Sequence, residues 1–142
     1  MTGTFTLTMI KPDAFASCDS ILHRITFEGY RVVGMKATVL TTEQAEEFYA
    51  VHKSKDFYPD LIKFMTSGPI LAIALEKSNA VEDFRSLIGD TDPKEAKPGT
   101  IRSIYGKAVS SNAIHGSDSD ENAINEISFF FPELIDKIRR IQ

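Results

Sequence analysis

Pro69-Ile70-Leu71-Ala72-Ile73-Ala74-Leu75 is an almost unbroken apolar run. An apolar side chain at nearly every position asks for cover on both faces, so the run predicts a central strand between two layers. Earlier in the chain, Phe5, Leu7 and Met9 alternate with Thr4, Thr6 and Thr8, which reads as a first strand ending at Ile10-Lys11-Pro12. A short amphipathic helix over residues 21–27 stops at Gly29, and residues 30–40 read as a second strand. Thr41 with Gln44 three residues on forms a capping box, opening a helix to about His52. A further helix covers residues 58–65, with Pro59 tolerated in its first turn.

After the apolar run, Asn79 or Ser78 caps a helix that presents Val81, Phe84, Leu87 and Ile88 on one face. Residues 89–111 are rich in Gly, Pro, Ser and Lys with little periodicity, and loops this long in a compact domain usually carry function. A brief strand near Ala113-Ile114 and the final helices complete the chain. Two βαβ-like halves with an extra helical pair give an α/β sandwich, helices over a mainly antiparallel sheet.

The composition narrows the function classes. At 142 residues the chain reads as one domain, residues 1–142, with room for a hydrophobic core. With 42% hydrophobic and 25% charged residues it resembles an ordinary globular protein. A formal net charge of −4 argues against a dedicated nucleic-acid binder. The single cysteine, Cys18, cannot form an internal disulfide. There is no signal-peptide pattern and no apolar run of membrane-spanning length, so the expected location is the cytoplasm, with no membrane partner.

The chemistry concentrates in Asn112-Ala113-Ile114-His115-Gly116-Ser117-Asp118-Ser119, which runs into a helical pattern ending Glu126-Ile127-Ser128-Phe129-Phe130. The stretch places an imidazole in a turn, beside a glycine, at the entrance to a helix. A helix start offers unpaired N–H groups and partial positive charge to an anion, and imidazole is nucleophilic near neutral pH. Together they point to chemistry on phosphate. His115, Ser117 and Asp118 crowd together, but triad members come from separate elements and no G-x-S-x-G elbow is present. A metal site on His115 and Asp118 lacks a second histidine or thiol at ligand spacing. His23 and His52, on predicted helices, read as structural or solvent-facing.

The 112–119 stretch with Glu126-Ile127 closely resembles the active-site signature of nucleoside diphosphate kinases. Thr8-Met9-Ile10-Lys11-Pro12-Asp13 looks like that family's first strand. Phe64-Met65-Thr66-Ser67-Gly68-Pro69, Gly89-Asp90-Thr91-Asp92-Pro93 and Pro98-Gly99-Thr100-Ile101-Arg102 resemble its middle. The blocks follow in the family's order along essentially the whole chain. The resemblance implies a ferredoxin-like βαββαβ domain with a four-stranded, mainly antiparallel sheet. It implies ping-pong transfer of the γ-phosphate of ATP or another nucleoside triphosphate to a nucleoside diphosphate, maintaining triphosphate pools. It also implies a phosphohistidine intermediate, Mg2+ carried in on the nucleotide, and a homo-oligomer, tetramer or hexamer.

By the same likeness His115 is the nucleophile. A phosphorus–nitrogen bond keeps the transfer potential, whereas a serine ester would stall the second half-reaction. Glu126 orients the ring, and Ser117 lies beside the glutamate and near the leaving group, with Ser117 and Asp118 also able to cap the helix. Gly116 lets the backbone approach the phosphate. The chain has no G-x-x-x-x-G-K-[ST] loop, so side chains and metal must meet the phosphate charge. The family positions for this are Lys11, Arg85, Thr91 and Arg102, the two arginines flanking Thr91 in the long loop region. Phe57 stacks the base with Val109 on its other face, Asn112 holds the sugar hydroxyls, Tyr49 lies near the phosphohistidine and Leu61 lines the base pocket.

Four features depart from the family pattern. Ser103-Ile104-Tyr105 lacks the usual acidic residue before the aromatic, Asp92 replaces a familiar Asn, and Asn122 a familiar Ser. The segment between Pro12 and Gly29 is about two residues short. A competing class is a catalytically silent regulatory or single-strand nucleic-acid-binding protein on the same fold. The presence of Lys11, Arg85, Arg102, Asn112, His115 and Glu126 together favours the enzyme, because a binding surface has no need of the full set.

Overall fold

Side-chain alternation on the two central strands sorts the core into two halves. In the computed structural model, which describes residues 3–141, β1 (Phe5–Ile10), β2 (Arg31–Thr38), β3 (Ile70–Glu76) and β4 (Ile114–Gly116) form one sheet of order β2-β3-β1-β4. Every neighbouring pair is antiparallel. Ile70, Ala72 and Ala74 of β3 join Phe5, Leu7 and Met9 of β1 on one face. Leu71, Ile73 and Leu75 join Ile10 on the other.

The first face is covered by Ala45 of α2 (Thr42–Phe48), Ile62 and Met65 of α3 (Tyr58–Met65), Ile127 and Phe130 of α6 (Asp120–Phe130), and Ile138 of α7 (Ile135–Ile141). The second is covered by Ile21 and Ile25 of α1 (Cys18–Phe27), Phe84 and Ile88 of α4 (Ala80–Ile88), and Ile101 of α5 (Ile101–Tyr105). The apolar run at 69–75 is therefore the central strand it was expected to be, and the β1-α1-β2-β3-α4-β4 order is the ferredoxin-like one. The threonines between the apolar residues of β1, Thr6 and Thr8, are buried too, because β1 is also central.

Several local expectations change. The capping box is present, with Thr41 Oγ1 accepting from Gln44 N–H at 3.1 Å and Gln44 Oε1 from Thr41 N–H at 2.9 Å. The α-helix it opens stops at Phe48, however, and a 3-10 turn over Ala50–His52 follows. The shortened segment after Pro12 becomes a 3-10 turn, Pro12–Ser17, running directly into α1. Asn79 does precede α4, but in a left-handed conformation with its amide donating to Glu82 and Asp83 rather than capping. The 89–111 stretch hides α5, whose first turn is capped by Thr100. Neither Ser117 nor Asp118 caps α6; Ser119 does, its Oγ accepting from Asn122 N–H at 3.0 Å.

Candidate active site

His115 is not in a turn. It is the middle residue of β4, opposite Met9 of β1, with its carbonyl accepting from Thr8 Oγ1 at 2.6 Å. The backbone of the nucleophile candidate is thus tied to a fully buried strand. Gly116 lines the cleft and also has a packing reason to be glycine. A Cβ there would come within 2.9 Å of Ile88 Cδ1 and 3.2 Å of Phe84 Cδ2, so the side chains of α4 packed on the strand would have to shift.

Glu126, about two turns into α6, reaches back to the imidazole: His115 Nε2 and Glu126 Oε1 are 2.8 Å apart. Buried Ser117 donates to the same carboxylate oxygen at 2.7 Å, and its Oγ also accepts from Leu7 N–H at 3.2 Å. A carboxylate only accepts, so the short contact puts the ring proton on Nε2 and leaves the lone pair on Nδ1. The ring of Phe48 meets the imidazole nearly edge-on, centroids 5.5 Å apart. Both His115 and Glu126 side chains keep 19% of their exposure, enough for a ligand to reach them.

These residues open onto a cleft of about 1730 Å³. Lys11, Tyr49, Phe57, Leu61, Arg85, Thr91, Arg102, Val109, Asn112, His115 and Glu126 all line it, so eleven of the twelve expected site residues meet there; the twelfth, Ser117, sits behind Glu126. Arg85 and Arg102 come from α4 and α5 rather than from loop. Half-exposed Phe57 and Val109 leave apolar surface free within the cleft.

The cationic side is rigidly built. Lys11 Nζ donates to Asn112 Oδ1 at 2.9 Å, and Asn112 Nδ2 donates to the Thr91 carbonyl at 3.0 Å. Burial brings the Lys11 ammonium down to about 8; the Arg102 charge adds to the fall and Asp13 opposes it. Arg102 is buried and donates through Nη1 to the Gly89 carbonyl at 3.0 Å and through Nη2 to the Ile114 carbonyl at 2.8 Å. Burial first, then the Arg85 charge, lowers its guanidinium to about 10, with Asp90 opposing. Gly89 is in a left-handed conformation, φ +89°, and a Cβ there would stand 2.6 Å from Thr100 Oγ1. Glycine at 89 thus lets α4 end close against Thr100, with the Gly89 carbonyl in reach of Arg102. The Tyr49 hydroxyl is buried without a hydrogen-bond partner among the described residues, and burial followed by the Glu126 charge pushes its pKa well up, so it stays protonated.

Of the departures from the family pattern, Asp92, Ser103 and Ile104 lie outside the cleft lining, while Asn122 is at its edge beside Asp118. Asp92 supplies the acceptor for a turn, taking the Lys94 N–H at 3.0 Å, and Asn122 donates to Asp118 at 2.6 Å. Ser103 Oγ bonds the Thr100 carbonyl, and Ile104 is exposed. Sequence reasoning missed Phe48, Thr8 and Asp13. Phe48 looked like one more apolar residue on a helix, and the other two act through backbone contacts between distant segments.

Fold and cleft together define a ferredoxin-like α/β protein with a histidine held on an edge strand above a cationic pocket. The family model described as "Nucleoside diphosphate kinase" matches residues 4–135. A protein of that name from Chlorobium luteolum is 52% identical over 128 residues, covering 89% of this chain and 91% of that one. One from Nitratiruptor is 49% identical over 130 residues, covering 90% and 95%. Among solved structures, the Aquifex aeolicus nucleoside diphosphate kinase superposes with a TM-score of 0.88 at 41% identity, covering 90% of this chain and 94% of that one. The Encephalitozoon cuniculi nucleoside diphosphate kinase superposes with a TM-score of 0.89 at 35% identity, covering 93% and 91%. The chain belongs to the nucleoside diphosphate kinase family.

Proposed function

We propose that His115 Nδ1 carries the phosphoryl group in the nucleoside diphosphate kinase reaction that family membership assigns to this chain. The observation that carries this reading is the 2.8 Å contact between His115 Nε2 and Glu126, which leaves Nδ1 as the nucleophilic nitrogen in a cleft lined by Lys11, Arg85 and Arg102. In the first half-reaction Nδ1 attacks the γ-phosphorus of a nucleoside triphosphate, and the bond to the bridging oxygen breaks, releasing the diphosphate. Glu126 stabilises the charge that develops on the ring. In the second, a terminal phosphate oxygen of an acceptor diphosphate attacks the same phosphorus, and the electron pair of the P–N bond returns to Nδ1. Lys11 and the arginines meet the charge on the transferring group. Tyr49, as a protonated hydroxyl, donates near it.

Phe57, with Val109 and Leu61, offers apolar surface to either purine or pyrimidine bases, and Asn112 meets the sugar hydroxyls. Mg2+ enters as part of the nucleotide substrate. The proposed assembly is a homo-oligomer: β2 is an edge strand, and Phe27, Met35 and Val39 are large apolar side chains left exposed. The proposed setting is the cytoplasm, consistent with a free Cys18; no described helix is long and apolar enough to cross a membrane.

Because one histidine serves both half-reactions, initial rates with varied triphosphate at several diphosphate concentrations should give parallel double-reciprocal lines. Intersecting lines would mean a direct transfer that bypasses His115. The Lys11 ammonium gives a pH expectation with a definite sign. A lysine lowered to about 8 is charged below that pH and neutral above it, so kcat/KM should fall as pH rises through about 8. In Lys11→Arg the charge persists and this limb should vanish; its survival would assign it to another group.

A further inference from the structure

The chain enters β4 through a strained turn. Ala113 has φ +74°, a region that residues with a Cβ rarely adopt. The Ile114 N–H bonds back to the Asn112 carbonyl at 2.9 Å, and such an i to i+2 closure at positive φ is the rare, strained form of γ-turn. Strain of this kind persists only where surrounding groups over-determine it. Here two bonds from the segment that follows β1, Lys11 and the 3-10 turn after it, do so. The Ala113 carbonyl accepts from Lys11 N–H at 2.8 Å, and the Ala113 N–H donates to Asp13 Oδ2 at 3.0 Å.

The Asp13 bond joins residues 100 apart in the chain. Its other oxygen, Oδ1, is buried without a hydrogen-bond partner among the described residues. One carboxylate oxygen is thus buried without a partner while the other takes a single backbone N–H, and an unpaired buried acceptor costs stability on its own account. What it fixes lies on either side of the turn. One residue back is Asn112, whose amide bridges Lys11 Nζ and the Thr91 carbonyl. Two residues on is His115.

We propose that Asp13 is a positioning residue: by holding the Ala113 turn it sets Asn112, Lys11 and His115 in their working geometry. The inference rests on the roles given to those three residues above. Without the carboxylate, Ala113 relaxes to negative φ, its peptide rotates, and the Asn112 amide leaves Lys11 and Thr91. Misplacing reacting groups by even about 1 Å costs rate steeply.

The test is a double-mutant cycle on kcat and KM, with thermal melts on each variant. Asp13→Ala is expected to lower kcat about tenfold or more while the protein stays folded. Asp13→Asn, which keeps an acceptor oxygen without the charge, should recover part of that loss. Glycine adopts positive φ without strain, so in an Ala113→Gly background the Asp13→Ala loss should shrink about threefold or more. Should Asp13→Ala fail to fold alone, the same change with Ala113→Gly is expected to fold and transfer. The proposal is overturned by a kcat within about twofold of wild type, by equal losses in both backgrounds, by no recovery in Asp13→Asn, or by failure of the double variant to fold. A residual rate in His115→Ala comparable to wild type would instead bring down the site reading itself, so the two failures are separable.

Discussion

Replacing His115 with alanine should lower phosphotransfer by on the order of 10⁴-fold or more, because it removes the one cleft imidazole that, among the described residues, is oriented by a carboxylate; His52, also at the cleft, has no such partner. The neighbouring hydroxyl, Ser117, is fully buried and hydrogen-bonded to Glu126 and the Leu7 backbone, so it cannot take over. The fold should survive. β4 is attached through backbone pairs to β1, and those of residues 114–116 do not depend on the imidazole. Ser117 continues to satisfy Glu126 Oε1 at 2.7 Å, and the main packing loss is the edge of the ring against Phe48. A steady-state assay paired with a thermal melt checks both halves. An active variant would remove His115 from the mechanism, and an unfolded one would make it a structural residue.

Arg102→Ala should have the next largest effect, and on two properties at once. Its guanidinium braces the Gly89 and Ile114 carbonyls, which belong to the two segments that carry Thr91 and His115 to the cleft. Truncation leaves the buried Ile114 carbonyl without that donor, at a cost of about 1–3 kcal/mol in stability. Losing the cation proposed to meet the transferring phosphate should cost about 10²–10³-fold in kcat. Arg102→Lys restores the charge but cannot reach both carbonyls with a fixed fork, so it should regain only part of each. The measurement is kcat and unfolding free energy on all three proteins. If the alanine variant loses stability but keeps its kcat, Arg102 is a brace only.

The parts of the fold legible in the sequence were those where a local pattern had a single physical reading. The run at 69–75 could only be a strand covered twice, and Thr41 with Gln44 marked a helix start that the structure places to the residue. What stayed hidden depended on short elements and on distant partners. A brief strand was expected near Ala113-Ile114, but its extension through His115 was not: β4 has three residues, too few to show a period, and the composition of His115-Gly116-Ser117-Asp118-Ser119 looks like turn. With three capping candidates in succession, nothing local favoured Ser119 over Ser117. The choice falls out only because Ser117 is drawn inward to Glu126 and Leu7. α5 has five residues and lies among glycines and prolines.

The site followed the same division. The pairing of His115 with Glu126 could be expected from the motif, since α6 must start between them and turn the glutamate back. The second duty of Arg102, bracing two carbonyls, and the grip of Asp13 on Ala113 could not. Their partners are backbone groups brought together by the order of the strands, and a main-chain carbonyl or N–H looks alike at every position of a sequence.

In the proposed reaction His115 Nδ1 carries the phosphoryl group between two nucleotides. The most direct test incubates the protein with γ-labelled ATP and Mg2+, without an acceptor, and follows the label before and after a nucleoside diphosphate chase. The expected result is acid-labile, base-stable label on His115, bonded at Nδ1 and absent from His115→Ala, that leaves as a new triphosphate when the diphosphate is added. No label on a folded protein that still binds nucleotide, or label that the chase cannot remove, would contradict it and leave the cleft as a binding site only.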